Sequence, residues 1–166
     1  MPRQRSGRLV RPSLLDRLID EDTRAIEDVD TTQAASIDAF MKGVGRDIEL
    51  LLNTRRPPVA IPEGFEHLPR SVFAYGIPDT TGLGRDDHAA RDRLLRWIEE
   101  AIATFEPRMR NVRVMLGGVS NDGSRRLRFV VSGQLQMDPQ PQPVAFDATL
   151  NAGGTYEVEN GTPARA

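Results

Sequence analysis

Two carboxylates and two histidines are the side chains on which this sequence could build a reaction. Glu106 and Asp147, the second on a strand that could neighbour the first, could form the acid pair of a glycoside hydrolase. That chemistry needs a protonated carboxyl in an apolar pocket and a second carboxylate ~5–9.5 Å away. Arg108 works against it, because a nearby guanidinium favours the ionised carboxylate and so removes the general acid. His67 and His88 are the only histidines, and neither lies within a nucleophile signature. Asp86, Asp87 and His88 have metal-ligand side chains, but consecutive positions do not converge on one helix face. They read as helix-capping acids beside a surface histidine. The Gly76–Gly84 segment has the glycines of a phosphate loop without its Gly-Lys-Ser/Thr ending, which leaves turn chemistry. The chain has no cysteine, and this excludes disulfides, Cys-ligated zinc and thiol catalysis. No catalytic residue, metal or cofactor is assigned, and the chain is not expected to be an enzyme.

One charged motif remains. In "AIATFEPRMRNV", residues 101–112, a helix meets a proline stop and a strand begins. Pro107 disfavours helical geometry at Glu106, so the helix must end there. A carboxylate at that end faces the negative pole of the helix dipole, which is unfavourable by a few tenths to ~1 kcal/mol. Glu106 and Arg108 therefore project from a rigid joint, with two roles open to them. They can pair locally and brace the domain, or they can bind across to a neighbouring subunit.

The elements around this joint follow from periodicity. "PSLLDRLIDED" spaces Leu14, Leu15, Leu18 and Ile19 along one face of a short helix entered at Pro12 and Ser13. An acidic stretch from Asp20 to Asp30 follows, read as a solvated linker or a partner-facing patch. A second helix, capped by Ser36, carries Ile37, Phe40, Met41, Val44, Ile48, Leu51 and Leu52 at helical spacing. Gly43 and Gly45 would cost it ~1 kcal/mol each, which points to close packing there. Residues 55–84 are rich in Pro and Gly and are expected to pack along the surface through Val59, Ile61, Phe65, Leu68, Val72, Phe73 and Tyr75. "PRSVFAYG" within them reads as one or two helical turns.

A third helix runs from about Asp87 to Phe105, burying Leu94, Ile98, Ala101, Ile102 and Phe105. Thereafter the period changes to two: Val112, Val114, Leu116, then Leu127, Phe129, Val131, Leu135, then Val144, Phe146, Ala148, Leu150. A short last strand, Thr155–Glu159, would leave an open sheet edge. The pattern predicts an α+β fold, with N-terminal helices packed on one face of a three- to four-stranded antiparallel sheet. Arg126, Arg128, Ser132, Gln134 and Gln136 would line its polar face. Residues 1–12 read as a basic mobile arm, 13–160 as a single domain and 161–166 as a tail.

Composition sets the outer bounds. The chain has 166 residues, 39% hydrophobic and 28% charged, with a net charge near −2, so no global field favours a nucleic-acid partner. No apolar run approaches the ~20 residues of a membrane helix, and the N-terminus lacks a signal-peptide core. A cytoplasmic protein without direct membrane insertion is expected. Basicity is almost wholly arginine, Lys42 being the only lysine. Genome composition accounts for that, or planar guanidinium forks serving buried and interfacial ion pairs.

Several motifs in order carry a resemblance: "SLLDRL", "RDIELLLNTRR", "SVFAYGIPDTTGL", "FEPR" and "PVAFDATL". Over residues 13–158 the chain resembles the TssE family, the baseplate subunit of bacterial type VI secretion systems. TssE is similar to the sheath-initiating baseplate wedge protein of contractile-tailed phages. The resemblance implies a wedge domain that joins other baseplate wedge subunits and sheath proteins, with spike or tube proteins as further candidates. Sheath subunits would add to it by strand exchange. It also implies protein-interaction residues at Glu106, Pro107 and Arg108, the family's Glu-Pro-Arg signature, and at Arg55 and Arg56. Two alternatives stand beside it. One is the peptidoglycan hydrolase implied by the family's lysozyme-like name, which the carboxylates do not support. The other is the baseplate protein of a phage or extracellular contractile injection particle.

Overall fold

The computed structural model describes residues 33–80, 87–119, 126–137, 140–151 and 153–161. The expected arm, first helix and acidic linker, and residues 162–166 of the expected tail, lie outside the described residues, while Gly161 belongs to the last strand. Helix α1 spans Gln33–Asn53 and helix α2 spans His88–Phe105. Strands β1 (Met109–Val119), β2 (Leu127–Leu135), β3 (Gln142–Leu150) and β4 (Tyr156–Gly161) form one antiparallel sheet in the order β1-β2-β3-β4. The fold is α+β, as the pattern predicts, with four strands. Both helices meet the sheet, α2 chiefly at β1 and α1 chiefly at β4.

The expected apolar faces supply the core. Phe40, Val44, Ile48, Leu51 and Leu52 of α1 and Leu94, Ile98, Ala101 and Ile102 of α2 are buried against Phe129, Val131, Phe146, Ala148 and Tyr156 of the sheet. Burying such side chains contributes ~1.5–3 kcal/mol each relative to exposure. Gly45 lets α1 lie close to β3: a Cβ there would already touch Phe146 at 3.5 Å. Two expectations need correcting. Ser36 does not cap α1; it is buried within the helix, three residues past its start. Leu116 does not continue the buried alternation but stays 38% exposed, although it pairs with buried Phe129, and β1 shifts register just beyond it.

The Pro/Gly-rich segment also differs from expectation. It forms two 3-10 turns, Leu68–Arg70 and Val72–Ala74, as "PRSVFAYG" predicts. Of its named apolar residues Tyr75 packs against the core, edge-on to Phe105 at 5.3 Å, whereas Val59, Phe65 and Val72 are largely exposed. Ile77 anchors it most deeply, fully buried, and it pairs with Arg55 as an isolated parallel bridge. Ile77 N–H donates to Thr54 O at 3.0 Å, and Arg56 N–H donates to Ile77 O at 3.0 Å. Gly76 makes this approach feasible, with φ +103 and its Cα against the Thr54 carbonyl.

Tyr156 completes the core and supplies a test. The ring is fully buried, and its hydroxyl makes no hydrogen bond of normal geometry. Burial pushes the phenol up to about 12, against smaller opposite pulls from the Thr80 side chain and the Arg55 charge. An acid whose folded-state pKa is raised adds stability below its unfolded pKa and loses it as pH rises. Stability should therefore fall between pH ~10 and ~12, by roughly 2–3 kcal/mol. Tyr156→Phe should remove this loss and should not destabilise at pH 7, since it deletes an unsatisfied buried polar group. Urea midpoints of both proteins at pH 7 and pH 11 check this; a Phe variant that is less stable at pH 7 would show that the hydroxyl is satisfied.

Candidate protein-interaction site

The Glu-Pro-Arg joint is a knot of ion pairs. Asp87 caps the start of α2, accepting the Ala89 N–H at 2.9 Å, and Glu106 ends it. Glu106 N–H donates to Ile102 O, and its own carbonyl accepts the Met109 N–H, so the chain turns straight into β1. Arg108 then folds back onto Glu106. Its Nε donates to Oε1 at 2.6 Å and its Nη2 to Oε2 at 2.5 Å, while the Arg108 N–H also reaches Oε1 at 3.2 Å. A cation placed this way offsets the unfavourable meeting of a carboxylate and a helix C-terminus.

The structure adds a partner that sequence spacing did not identify. Arg108 Nη2 donates to Asp47 Oδ2 of α1 at 2.6 Å, and the guanidinium sits 5.8 Å from the Phe40 ring centroid. Arg46 donates to the other Asp47 oxygen. One guanidinium thus ties α1 to the joint between α2 and β1, and Gln136 N–H donates to Arg108 O at 2.7 Å to add β2. The Glu106 side chain is 5% exposed, Arg108 22% and Asp47 32%. Hydrogen bonding to Glu106 holds Arg108 well above its ordinary value, despite the opposing effect of burial. Tyr75 is raised by burial and by the Asp47 and Glu106 charges. Asp47 was present in "RDIELLLNTRR", but only the fold brings it to Arg108. Pro107 is exposed at the tip of the joint.

Arg55 and Arg56 have different surroundings. The sequence "LLNTR" closes the end of α1: Thr54 Oγ1 donates to Leu50 O, Thr54 N–H to Leu51 O and Arg55 Nη1 to Leu52 O. These are carbonyls that a helix end leaves without internal partners. Arg55 Nη2 also donates to Gly154 O in the β3–β4 turn at 2.9 Å, and its Nε lies 3.9 Å from Asp79. Its guanidinium is engaged within the chain. Arg56 projects from the exposed surface beside it, at the edge of an open groove of about 780 Å³.

Helix side chains also occupy the sheet edges that the sequence left open. On β4, Asn53 exchanges two hydrogen bonds with the Tyr156 backbone, and Glu49 accepts the Val158 N–H. On β1, Glu99 accepts the Val114 N–H at 3.2 Å and pairs with Arg113. Blunting of this kind limits unwanted strand addition.

The supposed catalytic groups do not assemble. Asp147 pairs with Val130 and Glu159 in positions that alternate with buried Phe146 and Ala148, so it projects from the face opposite the helices. His67 precedes the first 3-10 turn and His88 begins α2, both exposed. Among the described residues no group of three His, Asp or Glu side chains could hold a metal ion, and no helix is long and apolar enough to cross a membrane.

No curated protein and no solved structure matches the chain. A family model does, over residues 39–140, from the first third of α1 through the ion-pair knot and β2 to just before β3. The chain belongs to the family of the baseplate wedge protein gp25.

Proposed function

We propose that this chain is a structural, non-enzymatic baseplate subunit of a type VI secretion system. In this reading residues 13–160 act in the cytoplasm as one wedge domain that joins the other wedge subunits and receives the first ring of sheath. The observation that carries it is the family match over residues 39–140, which contains Asp47, Glu106 and Arg108. A charged knot that locks two helices and the sheet together gives partners a rigid surface, with exposed Pro107 at its tip.

Strand addition by sheath subunits fits β1 better than β4. Among the described residues, three hydrogen bonds from Asn53 and Glu49 close the β4 edge, whereas Glu99 holds β1 at Val114 alone. Met115 and Leu116 lie exposed farther along β1, ready to pack against an incoming strand. Hydrolysis of peptidoglycan finds no such support. Arg108 occupies both oxygens of Glu106, and Asp147 faces the other side of the sheet.

The test is recovery of the tagged full chain from cells carrying the intact system, with partners identified by mass spectrometry. Wedge and sheath proteins should co-purify, and deletion of the gene should leave cells without visible sheath. Normal sheath in the deletion strain would sink the proposal. Recovery with phage structural proteins instead would move the same role to a phage-derived particle. Purified protein should leave a peptidoglycan suspension turbid; dose-dependent clearing, lost in Glu106→Gln, would restore the hydrolase.

A further inference from the structure

The loop between α1 and α2 has a surface that neither the ion-pair knot nor the sheet edges use. Pro57, Pro58, Val59, Ala60, Ile61, Phe73, Ala74 and Pro78 line the open groove of about 780 Å³, and Arg55, Arg56 and Asp79 complete its lining. Val59 is 61% exposed and Phe73 37%, while Val72 beside Phe73 is 90% exposed. A valine that exposed adds nothing to the core.

Two further features say what would fill the groove. Arg55 lies against Asp79, and Arg56 makes no ion pair with a described residue, so the uncompensated charge at the groove is positive. Residues 57–61 make no hydrogen bonds with described residues, so the N–H groups of Val59, Ala60 and Ile61 are available. An extended chain lying alongside would find main-chain partners, apolar contact and one cation. Pro57, Pro58 and Pro78 hold the walls with little conformational freedom to lose on binding.

We propose that this groove binds an extended segment of another baseplate protein, one in which an apolar residue lies next to a carboxylate. The apolar side chain would rest against Val59, Ile61 and Phe73, and the carboxylate would meet Arg56 through a charge-assisted hydrogen bond. The inference rests on the baseplate reading and gives one of its partners a stated chemistry.

The experiment places a photo-reactive benzoylphenylalanine at position 72 of the full chain, in cells carrying the whole system. Val72 is exposed enough for the change to leave the fold intact. Illumination should join position 72 to a different baseplate protein, at a peptide with Asp or Glu beside an apolar residue. Arg56→Glu should lower that yield about tenfold, as expected for loss of an interface anchor, while thermal unfolding stays unchanged. The same photo-reactive residue at Gly153, on an exposed turn, should remain unlinked. If baseplate proteins co-purify but position 72 stays unlinked, the groove proposal alone is overturned. Linkage to a second copy, or to this chain's own residues 13–30, would overturn it too, as would an unchanged yield in Arg56→Glu. Failure to co-purify with any baseplate protein would remove the baseplate reading and this one together.

Discussion

Arg108→Met should destabilise the protein by about 3–5 kcal/mol, the range for breaking a buried ion pair from one side. The Glu106 side chain is 5% exposed and takes two hydrogen bonds from the Arg108 guanidinium, so the variant leaves a buried carboxylate with only the Arg108 backbone N–H and no compensating charge. Asp47 loses its strongest contact as well, and α1 loses its tie to the joint. Arg108→Lys should recover only part of the loss, because an ammonium cannot reproduce a fork that meets two carboxylates at once. A simple exchange, Glu106→Arg with Arg108→Glu, would restore a two-residue pair but not this one. The new glutamate would face Asp47, and the buried arginine would stand where two oxygens now accept.

Neutralising the whole knot separates bracing from partner binding. Asp47→Asn, Glu106→Leu and Arg108→Met together should recover most of the lost stability, since replacing the buried members of an ionic group by apolar side chains is often close to neutral. If the charges also bind a neighbouring subunit, the triple variant will fold and yet form no sheath. If they only brace the domain, sheath will return with stability. Urea unfolding alongside sheath imaging for the single and triple variants decides this. A wild-type melting curve for Arg108→Met would show that the knot does not hold the fold together.

Gly76→Val should destabilise by roughly 2–4 kcal/mol, combining backbone strain with a steric clash. The backbone there has φ +103, and a Cβ would lie 2.4 Å from the Thr54 carbonyl oxygen, closer than any such contact allows. Relief requires the loop to leave the end of α1, breaking the two hydrogen bonds between Thr54, Ile77 and Arg56 and exposing Ile77. Gly64→Ala is the control. It shares a positive φ, at +91, but has nothing within 4 Å of the added carbon. It should lose only the backbone term, ~1–2 kcal/mol. Thermal unfolding of both variants checks the difference, and equal losses would mean that the approach to Thr54 is not tight. Amide exchange at Arg56 and Ile77 should also rise sharply in Gly76→Val and stay slow in Gly64→Ala.

Local chemistry decided the elements. The 3.6-residue spacing of Phe40, Val44, Ile48 and Leu51 and the alternation of Leu127, Phe129 and Val131 each bury the face they predict, because a helix and a strand each offer one way to collect those side chains. Asp87 starts α2, and Glu106 and Pro107 end it, for reasons contained within a few residues. The family resemblance was legible in the same way, as short motifs in order along the chain.

The tertiary structure decided which residues those motifs act upon. Asp47 and Arg108 are 61 residues apart in sequence, and Asn53 and Tyr156 are 103 apart. Nothing in a periodic pattern specifies such a pairing, since periodicity says which face turns inward but not what stands across from its margin. The loop anchor was missed for a related reason. Val59, Phe65 and Val72 are as apolar as Ile77, but Gly76 alone lets the backbone approach the end of α1, and the residue beside that glycine is the one buried. Composition can nominate apolar residues; burial depends on where the backbone can come close.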